Sequence, residues 1–403
     1  MPTLTQLAGL VAHTNYTGEA EADTSNDVNA KLAPGAGVFD PDTNLLYVCG
    51  GSSLGVVHAI GSDGAVVAVL GDFGHQIDTP AGGGLRILKH PTYGKYLAGM
   101  RAAINGQVIT LMALNAPGVT AGTVTNSVSM VDTGLSSGGN QGDWDVDTAG
   151  NIWAFTKYVS AAGPKLFEVS LTSPSTIAIA QAFDFNALHG WIVASGCLVN
   201  PVNNSLVLAG LDGASDPIIA VVSPLDGSIT LSSASLLTGN QLPYQMGLNG
   251  KFILTDGGTI DLIDAATLTS TLSVNRSSYG IGSSIQFTWY DSVNGFLWVR
   301  IPANPWAVGL LDLANPTPAG FVQLSDPNLD AYTAEFPNID HSVLSDHTVI
   351  VSPLGNLGMT SIGTGSVSSG GVPLQFISLW GTTTLPTILI GHALNLLSAR
   401  YNL

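Results

Sequence analysis

A chain of 403 residues that is 45% apolar has enough to bury for a stable core, yet with 10% charged residues it has too little Glu and Lys to clothe long surface helices. With 11 Lys+Arg against 28 Asp+Glu, a formal net charge of −17, it lacks the clustered cations that neutralise phosphates, which argues against direct nucleic-acid binding and against attraction to anionic membranes. Residues 1–18 have neither the basic start nor the continuous apolar stretch of a secretory leader, and no run approaches the roughly 18 apolar residues of a spanning helix; the expectation is a protein made in a cytoplasm, with no membrane insertion.

Residues 1–33 read as an N-terminal arm, acidic and polar through residues 19–27. From residue 34 one unit recurs: an apolar strand, a turn rich in Asp, Asn, Gly and Pro, then a second apolar or aromatic strand. The copies occupy residues 37–48, 85–100, 144–153, 197–210, 246–258, 287–301 and, more weakly, 342–353. Their turn residues, taken as Asp40, His90, Asp147, Asn200, Asn249, Asp291 and Asp346, are spaced 42 to 57 apart. That is close to the roughly 40–50 residues of a four-stranded propeller blade, and the variable spacing suits blades with loops of different length better than a solenoid.

A second hairpin follows many of the first. It is carried by Asp63-Gly64, by Asp226-Gly227 and, in degenerate form, by residues 261–268. Asp and Gly tolerate the backbone angles of such turns. Two hairpins per unit predict an all-β chain, a single β-propeller of about seven four-stranded blades over residues 34–384. Residues 375–380 read as a final strand. Residues 385–403 read as an apolar C-terminal tail that either closes the propeller or buries itself in a neighbouring molecule. The two cysteines, Cys49 and Cys197, match no metal spacing and read as buried free thiols, with one disulfide as the alternative.

The segment Asp143-Trp144-Asp145-Val146-Asp147 with its following Thr-Ala-Gly-Asn-Ile-Trp resembles the blade signature of NHL-type and gluconolactonase-like propellers. Residues 39–48 (FDPDTNLLYV) are similar to the YVTN-type repeat. WD40 signatures are absent, since no Gly-His opens a blade and no Trp-Asp closes one. In overall character, with scarce charge and abundant Gly, Ala, Ser, Thr and Asn, the chain resembles bacteriophage virion proteins. That resemblance implies a non-enzymatic tail or capsid-surface component localised to the virion. Its partners would be copies of itself and other virion proteins in a symmetric assembly, with a host glycan or receptor as a further contact.

Three features of the sequence bear on chemistry. Asp143, Asp145 and Asp147 alternate, so an extended strand points them to one face, where converging carboxylates suit Ca²⁺. The plainer reading gives Asp147 to the turn and leaves Asp143 and Asp145 facing a channel or water. The gluconolactonase resemblance implies a divalent metal held by an early Glu, a central Asn and a late Asp. Glu19 or Glu21, Asn200 and Asp256 are the residues available, but no flanking motif supports the carry-over. The aromatic stretch 287–306 suits either sugar stacking or the wedge between blades, and the wedge is preferred. No catalytic, cofactor or metal residue is therefore assigned, and the alternative to a virion protein is a propeller hydrolase or lactonase with a metal in its central channel.

Overall fold

The computed structural model describes residues 11–14, 34–40, 42–43, 45–50, 55–60, 66–74, 84–103, 106–130, 143–156, 163–236, 243–247, 249–255, 258–279, 288–291, 296–301, 307–312, 321–325, 348–351 and 375–378. The chain divides into two compact units, residues Met1–Thr79 with Arg276–Leu403, and Pro80–Asn275.

The first unit opens with β1 (Val11–Thr14) and β2 to β5 (Pro34–Asp40, Leu45–Gly50, Val56–Ile60, Val66–Asp72). The second supplies β6 to β9 (Gly84–His90, Gly94–Ala103, Gly106–Asn115, Val128–Met130) and β10 to β13 (Asp143–Val146, Ile152–Thr156, Lys165–Ser173, Thr176–Asp184). After a one-turn helix, α1 (Phe185–His189), come β14 to β17 (Val193–Val199, Leu206–Leu211, Pro217–Val222, Ile229–Ser233) and β18 to β21 (Pro243–Met246, Lys251–Thr255, Thr259–Asp264, Thr269–Asn275). The chain returns to the first unit for β22 to β25 (Thr288–Asp291, Phe296–Ile301, Ala307–Asp312, Phe321–Ser325), β26 (Thr348–Val351) and β27 (Gln375–Ser378).

Each successive quartet is an antiparallel four-stranded sheet with its strands in chain order, as two hairpins per unit require. In the first unit a three-stranded sheet has the order β1-β27-β26, with Val11 opposite Ser378 and Thr14 opposite Gln375. An early strand of the chain thus pairs with a late one. Of the seventh expected copy only β26 is described. Its turn at Asp346, most of the arm 1–33 and the tail 385–403 lie outside the described residues.

In the second unit the four sheets pack face to face as propeller blades, with the first strands β6, β10, β14 and β18 touching in succession. The packing follows from strand parity, since consecutive side chains point to opposite faces. In β11, Ile152 and Ala154 join Leu88, Met100 and Ile109 of the preceding sheet, while Trp153 and Phe155 join Val199, Leu206 and Leu208 of the following one. In β15, Leu206 and Leu208 face back, whereas Val207 and Ala209 pack forward with Phe252 and Leu254. Both faces are therefore dry, so β15 is apolar and buried at five successive positions instead of alternating apolar and polar. Blade packing is established for these four sheets, against the expected about seven.

In four of the described first-to-second-strand turns a side-chain acceptor stands at the end of the first strand. In three of these a left-handed residue, Gly94, Gly150 or Asn204, stands at or just before the second strand. Asp147 Oδ1 accepts the N–H groups of Ala149 (2.9 Å) and Asn151 (2.8 Å). Asn200 Oδ1 accepts from Val202, and His90 Nδ1 does the same for Thr92 and Tyr93. The fifth turn corrects the sequence assignment. Its first residue is Gly247, whose N–H donates to the Lys251 carbonyl, and Asn249 sits two residues further on.

These turns also touch across blades. Gly150, at φ +86°, lies so close to the preceding blade's turn that a Cβ there would meet His90 Cα at 2.7 Å. Gly118, at φ +76°, has open space around the same position. Gly150→Ala adds a backbone clash to the left-handed strain, whereas Gly118→Ala carries the strain alone. Urea unfolding should show Gly150→Ala losing about 1–3 kcal/mol, and Gly118→Ala clearly less. Equal losses would show that the blade seam is not closed at this glycine.

Candidate functional site

Of the residues marked for chemistry by sequence, Asp143 and Asp145 lie on β10, the first strand of its blade in the second unit. β14 pairs with β15 on one edge only, and Cys197 and Val199, two residues apart, direct their N–H groups away from it. Asp143 and Asp145, also two apart on β10, meet them. Asp143 Oδ2 accepts the Cys197 N–H at 3.0 Å, and Asp145 Oδ2 accepts the Val199 N–H at 2.9 Å. The remaining oxygens accept from the backbone of β10 itself, Asp143 Oδ1 from Trp144 and Asp145 Oδ1 from Val146.

The same pattern continues on the other side. Arg86, on β6, lies 3.9 Å through Nε from Asp145 Oδ1 and places its guanidinium 5.2 Å from the centre of the buried Trp144 ring. Side chains thus run from the first strand of one blade to the first strand of the next, β6 to β10 to β14. Each carboxylate is an acceptor row for a strand edge that would otherwise lack one.

Parity puts Asp143 and Asp145 on one face as expected, and both are half-buried and reach the neighbouring blade. Asp147 is drawn away into the turn, where its Oδ2 also accepts from Asn151 Nδ2 at 3.0 Å and Trp153 Nε1 at 3.1 Å. The three carboxylates do not converge, and among the described residues no three His, Cys, Asp or Glu side chains gather as a metal ligand set.

Of the lactonase-like residues, Glu19, Glu21 and Asp256 lie outside the described residues. Asn200 is buried and holds its own turn. The side chains of the aromatic stretch 287–306 lie outside the described residues as well. In the second unit the wedge is filled by aromatics the sequence reading did not single out: Phe155, Phe185 and Trp191, with ring centroids 5.1 to 5.8 Å apart. Helix α1 carries Phe185, and the chain leaving its Gly190 cap carries Trp191. Asp184 caps it by accepting the Ala187 N–H at 2.9 Å, and Gly190 ends it at φ 72°. The motif Asp-Phe-Asn-Ala-Leu-His-Gly carried that signal.

Burial pushes the Asp143 carboxyl above the ordinary carboxylate range, opposed by the Cys197 hydrogen bond, the Arg86 charge and the Trp144 hydrogen bond. Burial, reinforced by the charges of Asp143 and Asp145, pushes the Cys197 thiol well up. Cys197 is a free, buried thiol 3.7 Å from the Trp153 carbonyl oxygen, and it is not in a disulfide.

No family model matches the chain, and no curated protein sequence does. Solved structures do resemble it. The Swd1 β-propeller domain of Myceliophteria thermophila is 10% identical with a TM-score of 0.53, over 86% of this chain and 96% of that one. The extracellular domain of a hybrid two-component system from B. thetaiotaomicron is 13% identical with a TM-score of 0.55; 91% of this chain spans 41% of that one. The WD40 domain of Toxoplasma gondii coronin is 12% identical with a TM-score of 0.51, covering 94% and 88% of the two chains. At such identities the likeness shows a β-propeller fold and nothing of activity.

Asp143→Ala should leave the buried Cys197 N–H without an acceptor, at a cost of about 1–3 kcal/mol. Asp143→Asn keeps one acceptor oxygen and removes the charge that burial disfavours, so it should lose less. Equal losses in urea unfolding would contradict a capping role for this side chain.

Proposed function

We propose that this protein is a non-catalytic β-propeller scaffold that works by holding other protein chains, and that it is a structural component of a virion. The observation that carries the scaffold reading is the use made of Asp143, Asp145, Asp147 and Asn200. These side chains, the best candidates for metal chemistry in the sequence, are taken up by backbone N–H groups of turns and neighbouring strands. The virion setting rests on composition: 10% charged residues and 48 glycines make a polar, weakly repelling surface suited to close packing of copies. In this reading the seven sheets are blades of one disc, and the pairing of β1 with β27 joins its ends.

The competing propeller hydrolase requires a divalent metal in the channel, and Asn200 would have to leave its turn to bind one. Thermal unfolding with Ca²⁺, Mg²⁺, Mn²⁺ or Zn²⁺ added in turn separates the two readings. The scaffold reading expects no stoichiometric shift and no turnover of a lactone and ester panel. Metal-dependent turnover that Asn200→Ala abolishes would replace it with the hydrolase.

Two further measurements bear on the finer statements. A single disc should give a radius of gyration of about 21–22 Å by small-angle scattering, whereas about 30 Å with a two-lobed profile would mean separate bodies. A virion component should co-purify with particles at a fixed copy number. Absence from the particles would leave the scaffold without its proposed setting.

A further inference from the structure

Four described hairpin turns are held by a side-chain acceptor at the end of the first strand, and one of the four acceptors can change charge near neutral pH. Asp40 accepts from Asp42 N–H and the Thr43 hydroxyl, Asp147 from Ala149 and Asn151 N–H, and Asn200 from Val202 N–H. His90 does this work with an imidazole nitrogen. Its Nδ1 lies 3.1 Å from the N–H groups of both Thr92 and Tyr93. Accepting two donors at Nδ1 requires the neutral ring with its proton on Nε2. A second proton turns Nδ1 into a donor and sets a cation against two N–H groups.

The turn is also a seam between blades. His90 Cα and Cβ form the wall against which Gly150, in the turn after β10, is packed. The His90 ring stacks on Tyr93 at 4.6 Å between centroids, and the Tyr93 hydroxyl donates to the Thr172 carbonyl on β12. Nearby, the Tyr96 hydroxyl donates to the Pro174 carbonyl in the turn after β12. The conformation of the His90 turn is therefore tied to two hairpins of the following blade.

We propose that the β6–β7 turn is an acid-sensitive joint, in which protonation of His90 releases the Thr92 and Tyr93 N–H groups and loosens the contact with the following blade. The charged and titratable groups around the ring are Asp147 across the seam, Tyr93 stacked on it and Lys89 beside it in the chain. Burial holds His90 below its ordinary value, and the Asp147 charge pulls the other way without reversing the shift. The sign follows from linkage. A group whose value is lowered by folding stabilises the closed turn fully above the ordinary histidine value, and that contribution fades as pH falls through the lowered one. The Asn200 turn is held by an amide oxygen that does not titrate and serves as the comparison.

Hydrogen exchange measured by mass spectrometry, corrected for intrinsic rates, tests this on peptides spanning residues 88–96 and 145–152. Between the ordinary histidine value and that of His90, exchange of these peptides in the native protein should rise roughly tenfold per pH unit. Peptides around the Asn200 turn should not respond. His90→Asn, which installs the acceptor already used at Asn200, should make exchange at both peptides independent of pH. If that variant does not fold, His90→Asp serves the same purpose. Unchanged protection while His90 titrates by NMR, or the same pH response in the Asn or Asp variant, would overturn the proposal.

Discussion

The first strand of a propeller blade has a partner on one side only, and the N–H groups on its other edge must find acceptors or water. At β14 this constraint is met by the neighbouring blade. Asp143 and Asp145 repeat at the two-residue spacing of a strand, and so do the Cys197 and Val199 N–H groups they receive. The match of periods lets one strand cap another without a ladder between them. It also explains why carboxylates stand in a chain this poor in charge, at positions a purely apolar packing would fill with Val or Leu.

The rest of the unit builds outward from that contact. With the first strands fixed, the sheets face one another across dry wedges, and strand parity distributes each blade's side chains between two clusters. Large aromatics occupy one wedge, where Trp153, Phe155, Phe185 and Trp191 combine wide apolar surface with edge-to-face contacts. Turn-to-turn contacts complete the seam, His90 against Gly150 and Asn204 Oδ1 receiving the Thr148 N–H and hydroxyl.

The hairpin rhythm was legible because Asp, Asn and Gly in turns act locally, through their own backbone. Asp147 is the clearest case, with partners at most six residues away. The shared face of Asp143 and Asp145 was legible too, from parity alone. Their role was not, since the partners are main-chain N–H groups 54 residues away, which no side chain identifies. The fifth turn was displaced by two residues for a related reason: Gly247 offers no side chain, and the eye falls on Asn249. The propeller fold was legible from the hairpin repeat although the WD40 signatures are absent, and a WD40 domain resembles the chain at only 12% identity.

The central claim is that carboxylates of one blade cap the edge of the next, and amide exchange at two positions addresses it most directly. In the native protein the Cys197 and Val199 amides should be protected although neither belongs to a ladder on that edge. Asp143→Ala should deprotect Cys197 while leaving Val199 largely unchanged, and Asp145→Ala should do the converse. Fast exchange at both amides in the native protein, or protection that survives both substitutions, would contradict the account.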